Sequence, residues 1–307
     1  MSGIRTNVNR GVFERIGSDT IITEMLPEYR AESRGVKSTI VLLDHEPGGP
    51  RTWTAPDVYG DTRPYRIRAF TVGAGAWAGN AQVGGPSGGY AEKTMTVTPG
   101  QQFAYTVGGP TATNTPLGQG TTTSFGGILS CPAAINPNPA AGAVPDRYGY
   151  AGTATGGDIN FPGANYTGLD GHGGCSSAHR YGPGKAPRSA AGGGWGPSPA
   201  ASFQSAVYPV APVIDGWGLG LAPGTGRLIL GADSSTVVGG YGEGGSGSTS
   251  TAVAQSGGYG GGGGGGSTTT GSSANGAGGP GGGGGATAGS GANGPGGSGL
   301  VGVEILG

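Results

Sequence analysis

Tyr90-Ala91-Glu92-Lys93-Thr94-Met95-Thr96-Val97-Thr98-Pro99-Gly100-Gln101-Gln102-Phe103-Ala104-Tyr105-Thr106-Val107 is the stretch that sets the class of fold. Its two arms alternate along the chain, the period of a strand with one face in a core. Thr98-Pro99-Gly100 between them is a turn signal, since Pro presets the backbone and Gly tolerates φ > 0. The expectation is a β-hairpin, Tyr90–Val97 against Gln102–Val107. Upstream, Tyr65–Val72 reads as an eight-residue alternating strand, and Thr52-Trp53-Thr54 favours strand. Ile40-Val41-Leu42-Leu43 reads as a short buried strand, closed by Glu46-Pro47-Gly48-Gly49-Pro50. Downstream, Arg227-Leu228-Ile229-Leu230 restores a strand, and Leu300–Leu306 suits a final strand packed on the others. Pro27 suits the first turn of a short helix over residues 28–34.

What lies between the strands is unusual. Of 307 residues, 75 are Gly and 23 Pro, nearly a third where an average domain has about an eighth. The apolar fraction is 34%, too low for a large core along the whole length. Collagen requires Gly at every third position, and the run 260–266 breaks that period. A closing strand after the tract at 239–299 makes the tract an excursion from a sheet, not a tail. Glycine excursions become ordered if they run in polyproline-II geometry side by side. Such a chain has three residues per turn and no internal hydrogen bonds, so its N–H and C=O groups bond neighbouring strands wherever no Cβ blocks the approach. Each Gly ordered costs on the order of 1–2 kcal/mol, offset by hydrogen bonds at roughly 1 kcal/mol each. Only a laterally packed bundle balances that, and residues 239–299 are expected to form one.

The chemistry-bearing residues are sparse. Net charge is −1, so no electrostatic footprint for nucleic acid is expected. More than half of the charged residues fall in residues 1–68. Neither an apolar leader nor an apolar run of membrane-spanning length is read, so no membrane insertion is expected. Cys131 and Cys175 form no CxxC pair and read as two free thiols, as expected for assembly in a reducing compartment, with a disulfide formed after release from the cell as the alternative. Asp158, Asp170, His172 and His179 share a region, but their spacing matches no metal signature, and Asp beside Gly is usually a turn former. No Gly-x-Ser-x-Gly elbow follows a strand, and a glycosidase would need two carboxylates placed in one cleft where carboxylates are sparse beyond residue 68. Gly-x-Gly-x-x-Gly strings recur in the tracts, none at a strand-to-helix turn. The expectation is a non-enzymatic protein without metal or cofactor.

An ordered series of short motifs adds to this reading: Trp53-Thr54-Ala55-Pro56, residues 65–75, Gly88-Gly89-Tyr90-Ala91-Glu92-Lys93, Val97-Thr98-Pro99-Gly100-Gln101, Thr106-Val107-Gly108, Ser124-Phe125-Gly126-Gly127, residues 154–163 and Gly299-Leu300-Val301-Gly302-Val303-Glu304. The series resembles the glycine-rich domain of phage tail-fibre and related virion proteins. More distantly it resembles the extracellular glycine-rich domain of anaplastic lymphoma kinase receptors. The resemblance covers residues 51–307 and leaves residues 1–50 as an N-terminal virion-docking segment. It implies an all-β fold, a jelly-roll-like β-sandwich with polyglycine-II helices inserted in its loops. It also implies display on a virion after synthesis in the host cytoplasm, with no catalytic residues.

The expected function is attachment of a tail fibre or spike tip to a host surface protein or glycan. The alternative is a structural virion component, such as a capsid or tail decoration or a baseplate part. A homotrimer is expected, because fibre tips commonly close by cyclic symmetry. A close-packed glycine bundle would expel large side chains to its ends and outer faces. Tyr148, Tyr150, Tyr166 and Tyr181 are therefore the candidate recognition residues, while Trp195 and Trp217 read as packing. Residues 133–147 and 208–222 are candidate variable loops.

Overall fold

A computed structural model describes residues 38–60, 62–79, 83–112, 115–137, 149–166, 174–180, 182–184, 186, 277–285 and 293–306. Their regular structure is all β. Nine strands follow in chain order: β1 Ser38–Asp44, β2 Gly48–Thr54, β3 Tyr65–Val72, β4 Tyr90–Val97, β5 Gln102–Val107, β6 Thr123–Phe125, β7 Leu129–Cys131, β8 Ile159–Phe161 and β9 Leu300–Leu306. They form a five-stranded sheet in the order β1-β9-β3-β4-β8 and a four-stranded sheet in the order β2-β5-β6-β7, antiparallel throughout.

The sheets enclose one core because alternate residues of each face the other. Ile67 and Ala69 of β3 meet Val301, Val303 and Ile305 of β9, all buried against Trp53, Phe103 and Phe125 of the second sheet. Those three aromatics form a cluster, with Phe103 and Phe125 stacked at 5.3 Å and Trp53 within 6.1 Å of both. Each such ring contributes on the order of 2–3 kcal/mol by burial. The strands expected at Tyr65–Val72 and Leu300–Leu306 lie where the alternation puts them, and the expected strand at residues 40–43 falls within β1.

Two expectations are corrected. The strands Tyr90–Val97 and Gln102–Val107 exist with those bounds, but they are not a hairpin. β4 pairs with β3 and β8 in one sheet, and β5 with β2 and β6 in the other. The reason is in the turn. Gln101 N donates to Thr98 O at 3.1 Å, Pro99 occupies the first central position, and Gly100 has φ 82°. Positive φ at the second central position only is the type II arrangement, which splays flanking strands where a two-residue hairpin needs positive φ at the first. The chain therefore arches from one sheet to the other. The second correction concerns residues 38–50, assigned by sequence to a docking segment. β1 pairs with β9 along its length and β2 begins at Gly48, so both belong to the sandwich. The helix expected over 28–34 and the strand at 227–230 lie outside the described residues.

Beyond one end of the five-stranded sheet the chain continues in extended segments whose hydrogen bonds recur every third residue. Gly73, Ala76 and Gly79 donate to the carbonyls of Gly89, Pro86 and Val83. Gly75 and Ala78 donate to Gly297 and Gly294, Gly85 and Gly88 to Gly284 and Gly281, and Cys175 and Ala178 to Gly85 and Gly88. Gly294 and Gly297 donate to Gly285 and Gly282. A β ladder has period two and neighbours on two sides. Here residues 73–79 bond segments 83–89, 294–297 and 282–285 together with Ala134. The spacing of these segments leaves no room for side chains between them: a Cβ on Gly75, Gly88, Gly174 or Gly283 would fall inside the carbonyl of Gly282, Gly73, Gly283 or Gly85 respectively. We refer to this assembly as the glycine bundle. It takes in 277–285 and 293–299 of the tract expected at 239–299, the rest of which lies outside the described residues.

Candidate recognition surface

The bundle has a near end, at the sheets, and a far end. Gly73 follows the last residue of β3, Gly89 precedes β4 and Gly299 precedes β9, so these mark the near end. Residues 277–281 run toward it and turn back at Gly281, whose φ is 79° and whose N–H bonds Ser298 O at 2.6 Å. At the far end Gly79 meets Val83 and Pro137, Gly149 meets Pro137, and Gly294 N donates to Gly285 O at 2.8 Å.

The four candidate tyrosines do not come together. Tyr150 is 43% exposed near the far end, its carbonyl accepting from Ile135 N at 2.8 Å. Tyr166 is 2% exposed and packs with Val83, Ala164 and Cys175. That placement corrects the reading of Tyr166 as a surface contact, because a large ring beside a short-sided bundle fills the groove against it. Tyr148 and Tyr181 lie outside the described residues. Tyr148 directly precedes Gly149 at the far end, whereas Arg180 and Gly182, which flank Tyr181, lie near the sheets: Arg180 reaches Glu92 of β4. Trp195 and Trp217 also lie outside the described residues.

At the near end one ion pair joins the bundle to the sandwich, and a second lies within the five-stranded sheet. Arg68 of β3 and Glu304 of β9 stand opposite in the ladder and pair directly, Glu304 being 1% exposed. Glu92 Oε2 accepts from Tyr90 Oη at 2.6 Å, and Glu92 Oε1 lies 3.4 Å from Arg180 Nε. Phe70 lies over Gly302 of the adjacent strand, where any Cβ would meet the ring. On the outer face of this sheet Phe70, Val72, Tyr90 and Leu300 pack together with Ala178 of the bundle. Asp44 joins the two sheets at β1, accepting from Tyr105 Oη at 3.0 Å and pairing with Arg51.

Of the residues weighed as metal ligands, the structure describes Asp158 and His179. Asp158 accepts from Thr94 N and Lys93 Nζ, each at 3.0 Å. The bond from the Thr94 amide, then that from Lys93, holds its carboxyl below the usual range. His179 is buried and exchanges backbone bonds with Gly182, while Asp170 and His172 lie outside the described residues. Cys131 and Cys175 are buried free thiols in separate clusters. Burial pushes the Cys131 thiol up to about 11, against a lowering bond from Thr71.

A feature that the sequence reading passed over is a polar clamp near the far end. The Asn136 side chain accepts from Trp77 N at 3.1 Å and donates to Thr111 Oγ1 at 2.9 Å and Thr115 O at 3.0 Å. Trp77 Nε1 donates to Thr111 O at 2.7 Å. Asn136 N donates to Gly118 O at 2.8 Å. The clamp fixes the loop over residues 115–118 on the bundle, and at its tip Leu117 is 50% exposed. Asn-Pro within a Pro-rich segment was the available signal, but it reads as a turn, and Asn136 instead spans three separate segments.

Compared with known proteins, the chain matches no family model and no curated protein.

Proposed function

We propose that the chain is a phage virion surface protein, a tail-fibre or spike tip that attaches the particle to the host cell. In this reading the two sheets are a jelly-roll-like sandwich and the glycine bundle is a set of polyglycine-II helices inserted in its loops. The three-residue hydrogen-bond spacing supports it, since polyproline-II geometry has three residues per turn and leaves its backbone groups for neighbours. The observation that carries the function is the hydrogen-bonded glycine bundle itself, which extends away from the sheets to an end where Gly79 meets Val83 and Pro137, and Pro137 meets Gly149. A rigid bundle holds loop bases at fixed spacing, so little entropy remains to be lost on binding. The protein acts by binding, without catalysis or cofactor. It works as a homotrimer displayed outside the cell, joined to other virion proteins through its N-terminal segment, with a host surface protein or glycan as its target.

The test is competition. Purified full-length protein added before the particles should slow adsorption to host cells, and labelled antibody should mark the distal tip of the fibre. Unchanged adsorption, with label on the capsid or baseplate, would instead make the protein a structural component. Light scattering should give three times the chain mass, and a monomer mass at micromolar concentration would refute the trimer.

A further inference from the structure

Leu117 has φ 55°. It is the second central residue of the turn Thr115-Pro116-Leu117-Gly118, closed by Gly118 N to Thr115 O at 2.9 Å. That position calls for Gly or Asn, and a bulky L residue there is disfavoured. The clamp through Asn136 forces the turn, but nothing about the turn forces a leucine, because its side chain is half in solvent. Backbone strain kept by a rigid surround, with an apolar side chain held outward, points to a contact made elsewhere.

Tyr150 is a second exposed large hydrophobic, two strands away from the segment that follows Leu117. Ile135 pairs with Gln119 on one side and donates to Tyr150 on the other, through Ile135 N to Tyr150 O at 2.8 Å. Two adjacent-strand spacings put the backbones of residues 119 and 150 about 10 Å apart, with partly buried Ile135 between them. Leu117, Tyr150 and Tyr59 are the exposed large hydrophobics among the described residues. Tyr59 stands apart, edge-on to Tyr65 at the opposite end of β3 from the bundle. The sequence from 108 to 137 and from 149 to 157 contains no Asp, Glu, Lys, Arg or His.

We propose that Leu117 and Tyr150 are paired apolar anchors that seat in an apolar pocket of a host surface protein. This rests on the recognition reading above and names its side chains and partner class. A branched aliphatic group held outward at the expense of its backbone matches a protein pocket better than a sugar, and the uncharged stretches 108–137 and 149–157 that carry the two side chains match an uncharged rim. Preorganised apolar anchors with no long-range charge are the pattern of a protein contact that is largely insensitive to salt.

The experiment uses full-length protein carrying a fluorophore and a panel of intact bacterial strains, each untreated, proteinase K-treated or periodate-oxidised. Leu117→Gly and Tyr150→Ala are compared with Tyr59→Ala and wild type. Leu117→Gly suits the left-handed backbone, and Tyr150→Ala keeps the carbonyl bond to Ile135. Expected are roughly tenfold weaker cell binding for each of the two, wild-type binding for Tyr59→Ala, an unchanged or raised thermal midpoint for Leu117→Gly, and binding lost after proteinase K but kept after periodate. Wild type binding no strain would refute the recognition reading and this proposal with it. Wild type binding with both variants unimpaired would overturn the proposal alone and leave the recognition reading standing. Loss of binding on periodate treatment but not on proteolysis would overturn it in favour of a glycan, and a lowered midpoint for Leu117→Gly would make Leu117 a packing residue.

Discussion

Replacing Gly283 by Ala tests whether glycine is demanded by distance rather than by backbone freedom. The added Cβ would fall inside the carbonyl of Gly85. Neither group is the end of a flexible side chain, so segments 83–89 and 282–285 must separate. Their position is held by Gly85 N to Gly284 O at 2.8 Å, Gly283 N to Cys175 O at 2.9 Å and Gly284 N to Ala76 O at 3.0 Å. Loss of two or three of these at about 1 kcal/mol each is offset by about 0.4–1 kcal/mol from the stiffer unfolded chain. A net loss of roughly 2 kcal/mol follows. Gly182→Ala is the control: its Cβ would find only His179 Cε1, at 4.0 Å, and stability should stay the same or rise by up to about 1 kcal/mol. Urea titration followed by tryptophan fluorescence reads both. If Gly283→Ala unfolds at or above the wild-type midpoint, the close approach that organises the bundle is not present in solution.

Arg68→Ala leaves the buried carboxylate of Glu304 without its partner and should lose about 3–5 kcal/mol, most of it recovered when Arg68→Met is combined with Glu304→Leu; equal urea midpoints for Arg68→Ala and wild type would show that the pair is not buried. Tyr166→Ala should lose about 3 kcal/mol by opening a cavity among Val83, Ala164 and Cys175, whereas Tyr150→Ala should stay within about 0.5 kcal/mol in the same titration; equal losses would contradict the burial of Tyr166. The raised pKa of Cys131 means that the folded state holds the thiol proton more tightly, so its contribution to stability is complete below about pH 9 and is lost as pH rises through about 11. The stability gap between wild type and Cys131→Ala should therefore narrow across that range, and a constant gap would show that the thiol is not buried.

Strand positions were legible because their signal is local. Period-two alternation marks Tyr65–Val72, Tyr90–Val97, Gln102–Val107 and Leu300–Leu306 without knowledge of any partner. Pairing was not legible, since alternation says that a face is buried but not against what. The turn at Thr98-Pro99-Gly100 did carry the information: Pro at the first central position excludes the positive φ that a two-residue hairpin needs there. The candidate surface was half legible. Tyr150 follows from the rule that a close-packed bundle expels large side chains. Tyr166 escapes that rule because the groove beside Val83 and Cys175 accepts a ring. Leu117 carries no sequence signal, as its left-handed backbone results from a clamp made by Asn136 across three segments.

By itself the amino-acid sequence determined that the described residues form an all-β fold whose strands are interrupted by glycine-rich segments, and that glycine would be required where backbones meet. Composition and period are properties of short windows, and both consequences follow from sterics within a few residues. The tertiary structure alone decided that the last strand, β9, lies between β1 and β3, that β4 and β5 belong to different sheets, and that Ala178 of the bundle packs on the outer face of the first sheet. It also decided which glycines touch which carbonyls. Those outcomes depend on residues as far apart as Arg68 and Glu304, or Gly75 and Gly297, and a contact between distant residues is settled by the packing of the whole chain.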